Sequence, residues 1–471
     1  MQKKASFDVV VIGTGSAGFS AIEAAVSEGA AVCAIERGKL GGECPNFACV
    51  PSKAILKAAS VYRTLQHARD FGIQISSLSF DFTTIMKVRS DVVDTMTGGG
   101  EKGDRYEKIL SDLGVEVKYG NAKFLDDHMI DVNGEYIYAK TIVIATGTAD
   151  VVPPIDGIDT VPFKSWKDAI LQKRQPKSMA IIGGGPVGCE LATFYTTFGT
   201  RVVLLQRASQ VLSREDAEIA AHAHASLTKL GIDVRLNADI DSVIDSRGGT
   251  FGVRLRSASG LEMIAVDQIV VTAGKRAAVD DLNLEEAGVL LNAQQFLKTT
   301  KEQRTSVSHI FAAGDVDGGL QFTHTAHHEG WIAGYNAALV AKKKRRPLKS
   351  SDERVVPRVT FLQPEVASVG MTTEEAKKAY QHVLIGRSQI AALGRAVTEH
   401  ARTGMLKLVV HPKTRKILGG HMIGERAGEV IHEVALAIFL NATVDKLAEM
   451  IHAYPTFSEA IAVAASSLNK E

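Results

Sequence analysis

The chain has 471 residues, 45% hydrophobic and 23% charged, ordinary values for a globular protein with material for about three domains. Its formal net charge is +1, so no global field favours nucleic acid or an anionic membrane, and no nucleic-acid partner is expected. No apolar run reaches the roughly 18 residues of a spanning helix, so no membrane insertion is expected, and four cysteines make no disulfide framework.

The chain opens "MQKKASFDVVVIGTG". Its basic start and short apolar run end in a glycine motif rather than a cleavage site, so no secretory signal is read and a cytoplasmic address is expected. The β-branched run from Phe7 to Ile12 predicts a buried parallel strand. Gly13, Gly15 and Gly18 follow as G-x-G-x-x-G, with Ser16 and Ala17 entering an Ala-rich helix. A second strand ends at Glu36 and Arg37. Glycines at those positions let backbone N–H groups and a helix start approach a pyrophosphate, and Glu36 can accept hydrogen bonds from an adenosine ribose.

Next comes "GGECPNFACVPSK", Gly41 to Lys53, which contains Gly42, Glu43, Cys44 and Cys49. Two close thiols in such a chain read as metal-binding or redox-active. A structural zinc site wants four ligands, and Cys33 and Cys189 stand singly in other motifs, so a redox pair is preferred and no metal site is expected. "TGGGEKG" (Thr97–Gly103) predicts a break between helices.

The nucleotide pattern recurs at "SMAIIGGGPVGCELATFYTTFGTRVVLLQR". Gly183, Gly185 and Gly188 hold the glycine positions, with Pro186 and Val187 between them, and the second strand runs to Gln206 and Arg207. The change from Glu36 to Gln206 removes a carboxylate that would repel a 2′-phosphate, and Arg207 and Arg214 stand nearby. NADPH is therefore favoured over NADH, although Gln206 can also serve a 2′-hydroxyl. His222 and His224 are read as surface residues, and His324, His327 and His328 as packing or hydrogen-bonding groups. "KKKRRP" (Lys342–Pro347) is read as a solvated linker. Two dinucleotide sites and a dithiol suggest an electron relay from nicotinamide to flavin to disulfide.

With these motifs in this order, the whole chain resembles the pyridine nucleotide-disulfide oxidoreductases, which include dihydrolipoamide dehydrogenase, glutathione reductase and mercuric reductase. "GGECPNFACVPSK" matches the family's redox motif except that Ala48 replaces a glycine. "TIVIATG", with Ala145, Thr146 and Gly147, resembles the exit from the flavin domain. "IVVTAGKR", with Gly274 and Arg276, resembles the exit from the nicotinamide domain. "HIFAAGDV" resembles the second flavin motif, in which Gly314 and Asp315 would serve the flavin and Asp315 would meet its ribityl chain. "VTFLQPEVASVGMTTEEA" resembles the start of the dimerisation domain.

The resemblance implies an α/β fold with two Rossmann-like dinucleotide-binding domains and a C-terminal α+β dimerisation domain. An FAD-binding domain is expected at 1–150 and 280–346, an NAD(P)-binding domain at 151–279, and an interface domain at 347–471 of a homodimer. It implies FAD as cofactor, Cys49 as the charge-transfer thiol, Cys44 as the interchange thiol, and Lys53 with Glu190 as an ion pair beside the flavin. Electrons would pass from NAD(P)H through FAD to a Cys44–Cys49 disulfide, then to a small-molecule or thiol/disulfide acceptor such as a lipoamide-like one.

The C-terminal segment departs from the pattern. Disulfide-active members carry His-Pro-Thr there, whereas this chain has "HAYPTFSE", with Tyr454 before the proline and Glu459 retained. Tyrosine, with a reference pKa of about 10 against about 6.5 for histidine, is a poor base near neutrality. His452 is an alternative shuttle only if the backbone turns differently. Tyr454 and the segment "LLQRASQVLSREDAEI" resemble mercuric reductase, but no cysteine follows Cys189 and no metal-binding N-terminal extension precedes the flavin motif. A metal-ion or quinone reductase and a redox-sensing flavoprotein are the alternative readings.

Overall fold

The computed structural model describes residues 5–246, 248–257 and 260–471. It is an α/β protein with two mainly parallel, Rossmann-like sheets and a C-terminal antiparallel sheet carrying helices.

The first sheet has seven strands. Glu116–Tyr119, Val32–Glu36, Ala5–Ile12 and Glu135–Ile144 lie side by side and parallel, followed by the antiparallel Met129–Val132 and Ala122–Phe124. The long strand Glu135–Ile144 is shared: its start pairs with Met129–Val132, and its end with Ile310–Ala312. Val9, Val10 and Val11 are fully buried because helices or strands cover both faces, as a parallel sheet requires. On one face the helices Ser16–Ser27 and Thr323–Ala341 cross closely. A Cβ on Gly330 would stand 2.1 Å from the Ala17 carbonyl oxygen, and one on Gly334 2.0 Å from that of Ala21.

The second parallel sheet has the order Asp233–Arg235, Arg201–Leu205, Ser178–Ile182, Gln268–Val271, Lys164–Ser165. A three-stranded antiparallel sheet of Asp239–Asp245, Phe251–Ser257 and Gly260–Val266 accompanies it. The last sheet, Arg358–Thr360, Glu365–Gly370, Ile417–Gly424, Met405–Val410, Leu384–Gln389, Asn469–Lys470, packs under helices Ala427–Phe439 and Glu459–Ser466. No helix among the described residues is long and apolar enough to cross a membrane.

Two compact units emerge. One holds the chain up to Ser52, Lys87–Val151 and Gly274–Glu353; the other holds Lys53–Met86, Val152–Ala273 and Arg354–Glu471. The basic run is more than a solvated linker: Lys342 pairs with Asp8 at 3.6 Å, and Lys344 and Arg346 both pair with Glu28. These pairs tie the end of helix Thr323–Ala341 to the first strand and helix of the same unit. The break at Thr97–Gly103 lies between helices Phe82–Thr97 and Asp104–Asp112.

Candidate active site

In the first unit the strand Ala5–Ile12 delivers the glycine loop. Gly13 has φ +95°, and a Cβ there would stand 2.4 Å from the Ala145 carbonyl oxygen, so only glycine fits. Gly15 opens helix Ser16–Ser27 with no side-chain cap, leaving the first N–H groups to an outside acceptor. Glu36 organises the loop: one carboxylate oxygen accepts from Thr14 N (2.9 Å) and Thr14 Oγ1 (2.7 Å), the other from Gly38 N (2.8 Å). Gly42 closes against Gly15, since a Cβ on Gly42 would meet Gly15 Cα at 2.5 Å. The redox loop thus lies on the nucleotide loop. Thr146 Oγ1, beside Gly13, is buried with no hydrogen-bond partner. An orphaned buried hydroxyl beside an uncapped helix start fits a polar group bound in this cradle.

The segment around Gly314 and Asp315 adds charge. Lys275 Nζ stands 3.6 Å from Asp315 and 3.9 Å from Glu43. Burial pushes the Asp315 carboxyl up, against the pull of Lys275. Gly314 N donates to buried Glu329 at 2.6 Å, and burial, with Asp317 adding, pushes Glu329 up to about 9. Arg37 turns to Asp281 (3.6 Å) and Arg276 to Asp280 (2.5 Å), both at the surface. Gly147 and Gly274 take positive φ where Thr148–Asp150 pairs with Lys275–Ala277. Ser16 is half-buried, and Ala17 is buried under the crossing helix.

Cys44 lies in the helical turn Glu43–Asn46, and Cys49 starts helix Cys49–Gln66; both are half-buried. Cys49 Sγ is 3.4 Å from Thr323 Oγ1, in the first turn of helix Thr323–Ala341. A thiolate here would accept from that hydroxyl, and a positive helix end favours thiolate over thiol. Burial pushes the Tyr106 hydroxyl up, and Cys44 nearby adds to the shift. The other two cysteines are different. Burial pushes the Cys33 thiol up to about 12 and Cys189 further still, which leaves them unreactive. Thr323 and Tyr106 were not among the residues singled out from the sequence; nothing in local spacing ties Thr323 to a cysteine 274 positions away.

In the second unit Lys53 Nζ meets Glu190 Oε2 at 2.9 Å and Oε1 at 3.2 Å. Glu190 is buried and also accepts from Phe361 N at 3.0 Å, while the Lys53 ammonium lies 4.7 Å above the Phe361 ring. The glycine turn repeats. Gly183 has φ +117°, a Cβ on Gly188 would stand 1.9 Å from the Gly183 carbonyl oxygen, and Pro186 starts helix Pro186–Thr197 beside half-buried Val187. Gln206 takes the place of Glu36: its Oε1 accepts from Gly184 N (3.1 Å), and its Nε2 donates to Gln210 O (3.1 Å). Arg207 and Arg214 are exposed. The acids after Arg214 turn inward instead. Glu215 binds Arg358 (2.7 Å) and Ser368, and Asp216 binds Lys407 (2.9 Å) and Thr373 N (3.0 Å).

Towards the C-terminus His452 Nε2 meets Glu433 at 2.9 Å and its Nδ1 faces Met450 O. Tyr454 is 78% exposed, its hydroxyl near Gly394. Glu459 accepts from Thr456 N at 2.9 Å. Within one chain the three candidate shuttle residues thus have different partners. His324, stacked on Phe322, and His327 and His328 are exposed; His222 and His224 are half-buried on their helix rather than fully at the surface.

The sequence profile described as "Pyridine nucleotide-disulphide oxidoreductase" matches residues 7–330, and that of the dimerisation domain of the same proteins matches residues 356–465. The chain belongs to the pyridine nucleotide-disulphide oxidoreductases. It is 34% identical to "Mercuric reductase" of Staphylococcus aureus, over 99% of this chain and 83% of that one. It is 36% identical to "Dihydrolipoyl dehydrogenase" of Chlorobaculum parvum, over 98% and 97%. Among solved structures it matches the "HOCl-induced flavoprotein disulfide reductase RclA from Escherichia coli" with a TM-score of 0.84 and 29% identity, covering 98% of this chain and 99% of that one. RclA has also been solved as a Cu(II) complex. As a member of this family the chain is an FAD-dependent oxidoreductase working with a nicotinamide cofactor, and its dimerisation domain points to a homodimer.

Proposed function

We propose that this protein is an NADPH-oxidising flavoprotein reductase that delivers electrons from the Cys44–Cys49 pair to a thiophilic metal ion such as Cu(II). Gly13, Gly15, Gly18, Glu36, Gly42, Thr146, Lys275 and Asp315 would hold FAD, which supplies the two-electron step between nicotinamide and dithiol. Lys53, held by Glu190 and Phe361, would by the family resemblance be the cation of the relay's lysine–glutamate pair. The Thr323 hydroxyl and the helix behind it favour Cys49 as thiolate, leaving Cys44 to meet the acceptor. Gln206, with exposed Arg207 and Arg214, supports NADPH: the amide removes a carboxylate, and the arginines suit a 2′-phosphate.

One observation carries the choice of acceptor. The residue at the family's shuttle position is the exposed phenol of Tyr454, and the histidine two positions earlier, His452, is engaged by Glu433. Disulfide exchange needs a base and acid at the interchange thiol, whereas electron transfer to a bound cation does not. Each NADPH would reduce two Cu(II) ions to Cu(I) and release one proton. The RclA copper complex and the mercuric reductase relatives support a metal acceptor.

The test is steady-state oxidation of NADPH and NADH with Cu(II), Hg(II), a quinone and oxidised lipoamide, in the wild type and Cys44→Ser. The expected result is metal-dependent turnover, with kcat/KM about tenfold higher for NADPH, as one charge-assisted contact would give. It should fall at least about a hundredfold in Cys44→Ser. Lipoamide as the fastest acceptor, or full activity in Cys44→Ser, would overturn the proposal.

A further inference from the structure

Three residues outside the redox machinery form a second candidate site. Asp127 and His128 lie in the turn between strands Ala122–Phe124 and Met129–Val132, and His309 stands just before strand Ile310–Ala312. All belong to the first unit. Asp126 Oδ1 fixes the turn, accepting from His128 N at 2.8 Å and Met129 N at 2.7 Å. The two imidazoles stack with centroids 4.0 Å apart and planes 12° from parallel, and Tyr138 stacks against His128 at 5.5 Å.

Each ring has one nitrogen committed to a carbonyl. His128 Nδ1 donates to Ala139 O at 2.6 Å, and His309 Nε2 to Asp127 O at 2.8 Å. That arrangement fixes both tautomers and leaves one lone pair per ring, as in metal-binding histidines whose second nitrogen is held by a backbone carbonyl. One ligand atom from each of the three residues lies within 4.8 Å of the others. Ligands on a tetrahedral ion with bonds of about 2.0–2.1 Å sit roughly 3.3 Å apart. Asp127 is 51% exposed at its side chain, so its rotamer is free to close the gap, and the stacked rings must splay.

We propose that Asp127, His128 and His309 bind a borderline divalent transition-metal ion of the zinc class, and so pin the turn at residues 125–129 to the strand that begins at Ile310. Two imidazoles and one carboxylate select such an ion over calcium or magnesium, which prefer all-oxygen sites. The ion would bridge stretches of chain 182 residues apart in sequence. The site shares no residue with the cysteine pair, so it stands or falls independently of the acceptor proposed above.

The experiment titrates Zn2+ into the FAD-loaded full chain by calorimetry, in a Cys44→Ser/Cys49→Ser background that removes thiolate binding. The expected result is one equivalent bound and a rise of about 2 °C or more in thermal midpoint at saturating Zn2+. X-ray absorption should show only nitrogen and oxygen neighbours at about 2.0–2.1 Å. Affinity should fall at least about tenfold in Asp127→Ala, an exposed change that leaves the fold intact, and in His309→Gln, which keeps a donor for Asp127 O. Equal stoichiometry and affinity in all three proteins, or no binding, would overturn the proposal.

Discussion

Lys407→Met probes the link between the acids after Arg214 and the C-terminal sheet. Lys407 lies in strand Met405–Val410, every residue of which is buried. Its ammonium meets Asp216 at 2.9 Å and Glu218 at 3.0 Å. Asp216 also caps helix Ala217–Lys229 and accepts from Thr373 N. Methionine fills the volume but leaves Asp216 buried without a counter-charge. Breaking one side of a buried pair costs about 3–5 kcal/mol, and the backbone donors that remain on Asp216 place this case near 3 kcal/mol. Spread over a unit of roughly 270 residues at about 2.1 cal/mol/K each, that is a fall of about 5 °C in its thermal midpoint.

The pH dependence supplies the control. Burial pushes the Asp216 carboxyl up, but the bonds from Thr373 and Lys407 outweigh it and hold it well below the usual carboxylate range. A depressed folded value contributes stability that is full above the unfolded value of about 3.9 and is lost as pH falls through the folded one. Without Lys407, burial dominates and the carboxyl takes up a proton more readily. The gap between wild type and variant should therefore be full at pH 7 and narrow as pH falls towards the unfolded value of about 3.9. Asp216→Asn in the Lys407→Met background should recover part of the loss. Calorimetric scans at both pH values check this. A gap under 1 °C at pH 7, or one unchanged at pH 4, would refute the electrostatic account.

Gly334→Ala forces a methyl to within 2.0 Å of the Ala21 carbonyl oxygen; it should cost about 3 kcal/mol and reduce the flavin-to-protein absorbance ratio of the purified enzyme. Glu329→Gln keeps an acceptor for Gly314 N but removes the buried acid. Because the folded Glu329 is raised to about 9, its contribution is full below about pH 4.3 and is lost as pH rises towards 9. Thermal midpoints of the wild type should thus fall relative to the variant between pH 6 and 8.5, and parallel curves would contradict that. His452→Ala should lower the thermal midpoint by exposing Glu433 to an unmet bond, at about 1–3 kcal/mol, while leaving the pH profile of turnover unchanged if His452 is an anchor rather than a shuttle. Tyr454→Phe should leave the thermal midpoint unmoved within about 1 °C, since the phenol is exposed.

Local chemistry was legible along the chain. Glycines that must take positive φ or admit a backbone carbonyl at Gly13, Gly18, Gly183 and Gly188 announce themselves by spacing, because the turn geometry is local. So do the β-branched strands beside them, and the acid-to-amide change from Glu36 to Gln206. The paired cysteines in their loop, with Lys53 a turn further on, carried the family resemblance. These features determine the family and the two nucleotide folds, since each depends on neighbours a few positions away.

Tertiary structure alone decided the rest. The hydroxyl beside Cys49 comes from Thr323, the brace on Glu190 from the backbone of Phe361, and the partner of Asp216 from Lys407. The segment after Arg214 reads from sequence as a marker of one relative; in the fold its acids anchor Arg358, buried Lys407 and the Ser368 hydroxyl of the C-terminal sheet. Asp127 and His128 are unremarkable until His309 stacks on the His128 ring and bonds the Asp127 carbonyl. Contacts of this kind join residues more than 130 positions apart, and their strength comes from burial and a lowered dielectric that exist only once the sheets have packed.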